Sequence, residues 1–329
     1  MKSKLSLGIL GCSNHFIKRI ALPVLSSNKI NLQAIASRSI EKAKKTASLF
    51  HIPEYYDSYE KILANPSINI VYIPLPNHLH AEWIKKAADA GKHILIEKPI
   101  ALNANEAKEA ASHAQSKGVK IMETLMYRFH PQWKHVKNII QTNEIGPVQY
   151  IHTSFSYHNK DLQNIRNILK MGGGALYDTG CYAISVPRFL LDEEPTRVIA
   201  LIDRDSASGI DRHSSAILDF DKARATFTVS TQSASFQKVE IVCASGRITV
   251  ELPFNAYPDV SMKLKVTMNI GTREIEFPPA NQYGLMFDAF ADAILNNQPI
   301  PTPIEDAINN MKVIDALFRS EQSQSWENI

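Results

Sequence analysis

Apolar residues in the first third of the chain fall in short continuous runs separated by amphipathic stretches. Leu5–Leu10, Asn31–Ala36, Ile68–Ile73, His93–Ile96 and Val119–Met122 read as strands, and runs of this length and composition fit strands buried on both faces. Between them, residues 14–26, 39–50, 81–90 and 105–117 carry helical spacing, with Gly91 and Gly118 where helix ends favour glycine. This alternation predicts βαβ units and a parallel sheet.

The pattern changes after about Tyr127. A helix is predicted over Pro131–Gln141, then strands over 148–157, 196–203, 214–220, 225–233, 238–243, 247–251, 263–269 and 273–277. Several alternate apolar and polar residues, as at Val239, Ile241 and Cys243, which suits an antiparallel sheet with one wet face. A helix near 175–190 interrupts the strands, and two more, about 283–295 and 304–319, end the chain. The expected fold class is α/β: a Rossmann-type parallel sheet domain (1–123), then an α+β domain with a large, mostly antiparallel open sheet (124–300). The last segment (301–329) is expected as a helix packing back on the first domain.

Length and composition support this reading. At 329 residues and 44% hydrophobic content, two domains with full cores are expected. A net charge of +3 from scattered basic residues argues against a nucleic-acid partner. No apolar run approaches the roughly 20 residues that span a bilayer, so no membrane partner is expected. The first run follows Met1-Lys2-Ser3-Lys4 directly and reads as a strand, not a secretory segment. Cys12, Cys181 and Cys243 are widely spaced and odd in number, which suits a reducing cytoplasm. His130, His135 and His152 form no ligand pattern with carboxylates, so no metal is expected.

Candidate chemistry gathers at the carboxyl ends of the predicted parallel strands, where open sheets bind ligands. After the first strand, Gly11-Cys12-Ser13-Asn14-His15-Phe16 is a degraded form of the glycine-rich dinucleotide turn, with Ser13 and Phe16 at its second and third small positions. Gly11 supplies a tight turn, and Ser13 and Asn14 can donate or cap. The second strand ends in Ser37-Arg38-Ser39, where an NAD site would place an acid. Arg38 can stack on adenine and pair with a 2′-phosphate, with Ser37 and Ser39 donating to it. NADP(H) is therefore preferred, with NAD(H) as the alternative. The third strand ends in Pro74-Leu75-Pro76-Asn77-His78-Leu79-His80, whose prolines stop the ladder. Asn77 can cap the next helix, and His80 either faces the cofactor or catalytic site or simply opens that helix. The fourth strand ends in Glu97-Lys98-Pro99, and a lysine there can orient a hydroxyl and assist proton transfer. Later, Gly172-Gly173-Gly174 permits close approach to a ligand, and Asp178 and Tyr182 are spaced to share a helix face.

These motifs together resemble the glucose-fructose oxidoreductase / inositol dehydrogenase (Gfo/Idh/MocA) family over nearly the whole length. The resemblance implies hydride transfer between a nicotinamide and a carbohydrate-like hydroxyl or ketone. It implies a cofactor set of Gly11, Ser13, Asn14, His15, Ser37, Arg38, Ser39, Pro74, Leu75, Asn77, His80, Glu97, Lys98 and Arg128. Where many members carry His, this chain has Tyr182, like the branch with dihydrodiol dehydrogenases and nucleotide-linked sugar 3-ketoreductases. In that branch the tyrosine is the acid/base, assisted by the lysine, and Asp178 binds a hydroxyl or holds Lys98. A nearby cation stabilises tyrosinate. Tyr157, His158 and Arg166 are weaker candidates for the substrate pocket, and Gln282-Tyr283 for the cofactor end. The expected function is an NADP(H)-dependent oxidoreductase on a sugar-like ketone or alcohol, best a nucleotide-linked keto-sugar reductase. Alternatives are a dihydrodiol- or xylose-type dehydrogenase, an NAD-dependent glycosidase, and a non-catalytic dinucleotide sensor. The open sheet offers a face for a homodimer or homotetramer.

Overall fold

Six strands build the first sheet: β1 (Leu5–Leu10), β2 (Ile30–Ala36), β3 (Glu54–Tyr56), β4 (Ile70–Ile73), β5 (His93–Ile96) and β6 (Ile121–Glu123). The structure, a computed structural model, describes residues 4–329. All pairings in this sheet are parallel, in the order β3-β2-β1-β4-β5-β6. The order reverses between β1 and β4, which makes a crevice at their carboxyl ends. β4 is buried at every position and β5 at all but His93, as strands covered on both faces must be. The connecting helices are α1 (Ala21–Leu25), α2 (Ile40–Phe50), α3 (Tyr59–Ala64), α4 (His80–Asp89) and α5 (Ala104–Ser116).

Two details depart from expectation. The helix expected over 14–26 begins as a π-helical turn, Phe16–Ile20, before α1. β3 and α3 were not expected at all. β3 is a three-residue edge strand held by side chains, with Glu54 accepting from Gln33, Tyr56 and Asn65, so it carries no hydrophobic signature.

The second sheet takes its strands from the remaining elements: α6 (Pro131–Gln141), β7 (Val148–His158), α7 (Cys181–Leu191), β8 (Arg197–Arg204), β9 (Asp211–Asp219), β10 (Arg224–Ser230), β11 (Gln232–Cys243), β12 (Gly246–Val250), β13 (Met262–Met268), β14 (Gly271–Phe277), α8 (Gln282–Leu295), α9 (Ile304–Ser323) and β15 (Glu327–Asn328). Its order is β14-β13-β12-β11-β7-β10-β9-β8-β15. Only the β7–β10 pairing is parallel among the described residues. Ile151 and Phe155 of β7 face inward, beside Val239 and Ile241 of β11 and Phe227 and Val229 of β10. α7 is apolar on every side and buried from Cys181 through Arg188, as such a helix has to be. A π-helical turn, Leu176–Gly180, leads into it. At its far end Lys137 Nζ donates to the Phe189 and Leu190 carbonyls at 2.5 and 3.3 Å, satisfying groups a helix end leaves open.

The chain divides into two compact units. One holds residues through Leu125 together with Tyr283–Ile308, and the other holds Met126–Gln282 and Asn309–Ile329. The crossing at 125/126 lies beside the boundary expected at 123/124. Residues 283–300, expected with the second domain, group with the first. The reason is α8: Met286, Phe287 and Phe290 are fully buried, and Phe287 packs edge-on to Tyr72 of β4 at 5.3 Å. Asp288 and Asp292 of α8 also take Ser27 and Lys29. The last helix likewise divides, with Ile304–Ile308 in the first unit and the remainder in the second. No helix among the described residues is long and apolar enough to cross a membrane.

Candidate active site

In the first unit the β1 turn is built around Gly11, whose φ of +128° suits glycine. A Cβ there would stand 3.1 Å from Leu75 Cδ2 and 3.9 Å from the Pro74 carbonyl, so the missing side chain lets the β1 and β4 loops close up. Ser13 Oγ accepts the Phe16 N–H at 3.0 Å; it caps the turn, as small polar residues do. Phe16 is fully buried and packs edge-on to Phe50. That explains the degraded fingerprint: the third small position has become a core aromatic.

At the end of β2, Ser37 is buried and its hydroxyl accepts the Ser39 N–H. Ser39 caps α2 by accepting the Lys42 N–H at 3.2 Å. Arg38 is exposed. Its guanidinium lies beside the Tyr59 phenol, which burial pushes up and the cation draws back down. Tyr59 is a residue the sequence did not single out; its hydroxyl would lie 3.9 Å from a Cβ on Gly11.

The β4 and β5 loops are joined by His80. The ring is fully buried, with Nδ1 2.7 Å from the Pro99 carbonyl and Nε2 2.8 Å from the Leu75 carbonyl. Both nitrogens thus face backbone carbonyls, and the one that carries the proton donates. This corrects its place in the cofactor set: His80 ties Leu75 to the turn that carries Lys98. Asn77 opens a 3₁₀ turn, and the cap position of α4 falls on Leu79, so Asn77 lies too early to cap that helix. Glu97 is a hub: Tyr72 donates to its carboxylate at 2.5 Å, His15 Nε2 stands 3.6 Å away, and its other oxygen takes the Lys98 N–H at 3.3 Å. Tyr72 was not foreseen; one aromatic in an aliphatic run, Ile70-Val71-Tyr72-Ile73, was the available signal. His15 also packs edge-on to Tyr283 at 5.5 Å.

In the second unit three predicted residues converge on one carboxylate. Asp178 Oδ2 accepts from Tyr157 Oη at 2.5 Å and from Arg166 Nε at 2.9 Å. Burial, then the Asp178 charge, push the Tyr157 phenol far up; Asp178 raises Arg166. Tyr157 therefore stays a proton donor to Asp178. Tyr182 is 7% exposed. Its ring sits 5.1 Å from Phe254, 5.7 Å from Phe155 and 6.1 Å from Tyr127, and its hydroxyl is 3.5 Å from Met126 Sδ. Phe254 was not foreseen either. Its loop is tied by Gln237, which accepts from Phe254 and Asn255, and by Gln282, which donates to the Phe254 carbonyl. Arg128, expected at the cofactor, donates to Ser185 of α7 at 2.6 Å and lies 5.1 Å over the Phe189 ring.

The dinucleotide-type crevice of the first unit fits a nicotinamide-dependent oxidoreductase. The comparisons agree. Residues 5–125 match the oxidoreductase family with an NAD-binding Rossmann fold, and residues 133–249 match the GFO/IDH/MocA C-terminal domain. An uncharacterized oxidoreductase of Rhizobium meliloti is 39% identical over 98% of each chain. D-xylose 1-dehydrogenase (NADP(+)) 2 of Haloferax volcanii is 32% identical over 96% of this chain and 97% of its own. A 3-ketoreductase from Actinomadura kijaniata, solved in complex with NADP and TDP-benzene, superposes with a TM-score of 0.91 at 27% identity, covering 97% of this chain and 98% of its own. The chain belongs to the Gfo/Idh/MocA oxidoreductase family.

Proposed function

We propose that this protein is an NADP(H)-dependent reductase of a nucleotide-linked keto-sugar, with Tyr182 and Lys98 moving the proton and Asp178 orienting the substrate. The observation that carries it is the Tyr157–Asp178–Arg166 cluster at the start of the helix that presents Tyr182. A carboxylate is an acceptor group, and sugar recognition calls for acceptors of substrate hydroxyls. The ketoreductase superposition supports the substrate class.

The first unit fits the cofactor. Gly11 opens the turn, and Arg38 stands exposed at the end of β2, where it can meet a 2′-phosphate. The bound nicotinamide supplies the hydride. The chain supplies the rest: Tyr182 Oη gives a proton to the forming alkoxide, or takes one in the reverse direction, and the Lys98 ammonium favours the tyrosinate left behind.

A second reading, an NADP+-dependent sugar dehydrogenase, is favoured by the relative that oxidises D-xylose. All three cysteines are buried and no disulfide joins them, which supports a reducing cytoplasm. We assign the assembly to a homodimer through the open sheet.

The test is a panel: dTDP-linked keto-sugars with NADPH, and D-xylose with NADP+, read at the nicotinamide absorbance. Turnover of the keto-sugars is expected. Turnover of D-xylose alone selects the second reading. Tyr182→Phe is expected to lower kcat by about 10²-fold or more with NADPH affinity unchanged. Unchanged kcat would remove Tyr182 from proton transfer.

A further inference from the structure

The helix that carries Asp178 and Tyr182 needs an anchor at its start, because the first N–H groups of a helix have no partner within it. Leu176 is one of these. Its N–H donates to Asp211 Oδ2 at 2.6 Å, a contact made across 35 residues from the first position of β9. Asp211 is 1% exposed, and Ser214 Oγ lies 3.3 Å from the same oxygen. The other oxygen fills a gap that exists only because residue 174 is glycine. A Cβ on Gly174 would stand 1.8 Å from Asp211 Oδ1, and its φ is +125°. From Gly174 the first turn closes through Asp178 N–H to the Gly174 carbonyl at 3.1 Å. The charges around the carboxylate suit an anchor. Arg204 of β8 is the cation that acts on it, itself paired with Glu321, and the helix N-terminus adds partial positive charge.

We infer that Asp211 is a positioning residue: its carboxylate, seated in the space left open at Gly174, fixes the turn that aims Asp178 and Tyr182. The inference rests on the acid/base reading of Tyr182 given above. Gly174 and Asp211 are therefore one device, and the third glycine of the run serves the anchor. Glycine-rich segments usually invite a ligand-contact reading; here the close approach is by the protein's own carboxylate.

The test uses amide hydrogen exchange on the full chain, resolved over 175–182, in wild type, Asp211→Ala, Asp211→Asn and Gly174→Ala. Asp211→Ala is expected to speed exchange at Leu176–Tyr182 by about tenfold or more, with the first unit unchanged. Gly174→Ala, which displaces the carboxylate without removing it, is expected to do the same. Asp211→Asn keeps an acceptor oxygen and is expected to restore most of the protection. On the substrate found in the panel, kcat of Asp211→Ala is expected to fall about tenfold with KM and NADPH affinity nearly unchanged, and Asp211→Asn to recover it. Unaltered exchange over 175–182, or acceleration spread evenly over the second unit, overturns the inference. So does a local loosening that leaves kcat untouched. Tyr182→Phe, run in parallel, keeps the two ideas apart: full turnover there removes the acid/base reading, while exchange at Leu176 still decides whether Asp211 holds the turn.

Discussion

Under the proposed function, cofactor choice is expected to turn on Arg38. It stands exposed at the end of β2, beside the Tyr59 phenol, between two serines whose hydroxyls are already used in capping. The guanidinium is thus the charged group of that tripeptide, and a charge-assisted hydrogen bond to a phosphate is worth about 1.5–3 kcal/mol. Arg38→Ala is expected to weaken NADPH binding by about tenfold or more while leaving NADH binding within about twofold, because NADH lacks the phosphate. Fluorescence titration with both cofactors measures this. Equal weakening of the two would show that Arg38 serves adenine stacking or the fold of the turn.

Among the elements, those that place the crevice were readable because burial on both faces leaves a continuous apolar run. β1, β5 and α6 fall on their expected residues, and β4 on all but the first two of its run. The elements that escaped, β3 and α3, are an edge strand held by Glu54 and a short helix behind it. The start of β11 is merged with β10 in the sequence pattern, since the strand expected over 225–233 runs through the break at Thr231, and no strand is expected over 234–237, where the pairing with β7 shifts register. For the site, the spacing of Asp178 and Tyr182 and the interest of Tyr157 and Arg166 were readable. That three of them share one carboxylate was not, since it depends on β7 and the 165–167 turn meeting the helix in space. His80 shows the opposite case, where a residue at a suggestive position proves to be a strut. A prediction follows at this scale. His80→Ala removes the bridge between the Leu75 and Pro99 carbonyls and is expected to cost about 3 kcal/mol, seen as a lower urea midpoint. A midpoint unchanged by the substitution would show that water replaces the ring at no cost.

At the scale of the whole molecule, stability responds to pH through Asp211. Burial pushes its carboxyl up to about 7 from 3.8. Between these values the folded chain holds a proton that the unfolded chain has lost. Asp211 therefore favours the folded state most below pH 4, and that contribution declines as pH rises to about 7, by at most about 1.4 kcal/mol per unit. The groups facing it are the Leu176 N–H, the Ser214 hydroxyl and the Arg204 cation. His130 works in the other direction, since burial lowers it to about 4 and the unfolded chain then binds the extra proton below the ordinary range near 6.5. Wild type alone mixes the two. The difference between wild type and Asp211→Asn isolates the first: it is expected to be most unfavourable to the variant at pH 4–5 and to shrink toward pH 7, in urea titrations at each pH. A pH-independent difference would mean that Asp211 does not titrate in that window.

Assembly is the remaining property of the whole molecule, and the homodimer proposed above would form on the outer face of the second sheet. Register places Ile199, Ile217, Thr226, His152 and Glu240 in one row across β8, β9, β10, β7 and β11, with Leu201, Ser215, Thr228, Ser154 and Lys238 in the next. The hydroxyls and His152 along these rows are bonded to one another, Ser215 to Thr228 at 2.9 Å and His152 to Thr226 at 2.8 Å. A face whose polar groups satisfy each other loses little on leaving water. At its β8 end it carries Leu201, 74% exposed, and Ile217, 37% exposed, and Tyr150 of β7 adds 49%. Apolar side chains gathered on one satisfied face mark an association surface, and a stable one buries about 800 Å² on each partner. Two copies meeting through a two-fold axis would cover each other's Leu201. Leu201→Lys places a charge there with no partner to meet it, and the surface position should leave the fold intact. Sedimentation is expected to show a dimer for wild type and a monomer, or at least a tenfold weaker dimer, for the variant. A wild-type monomer at micromolar concentration, or a dimer indifferent to the substitution, would move the interface off this face.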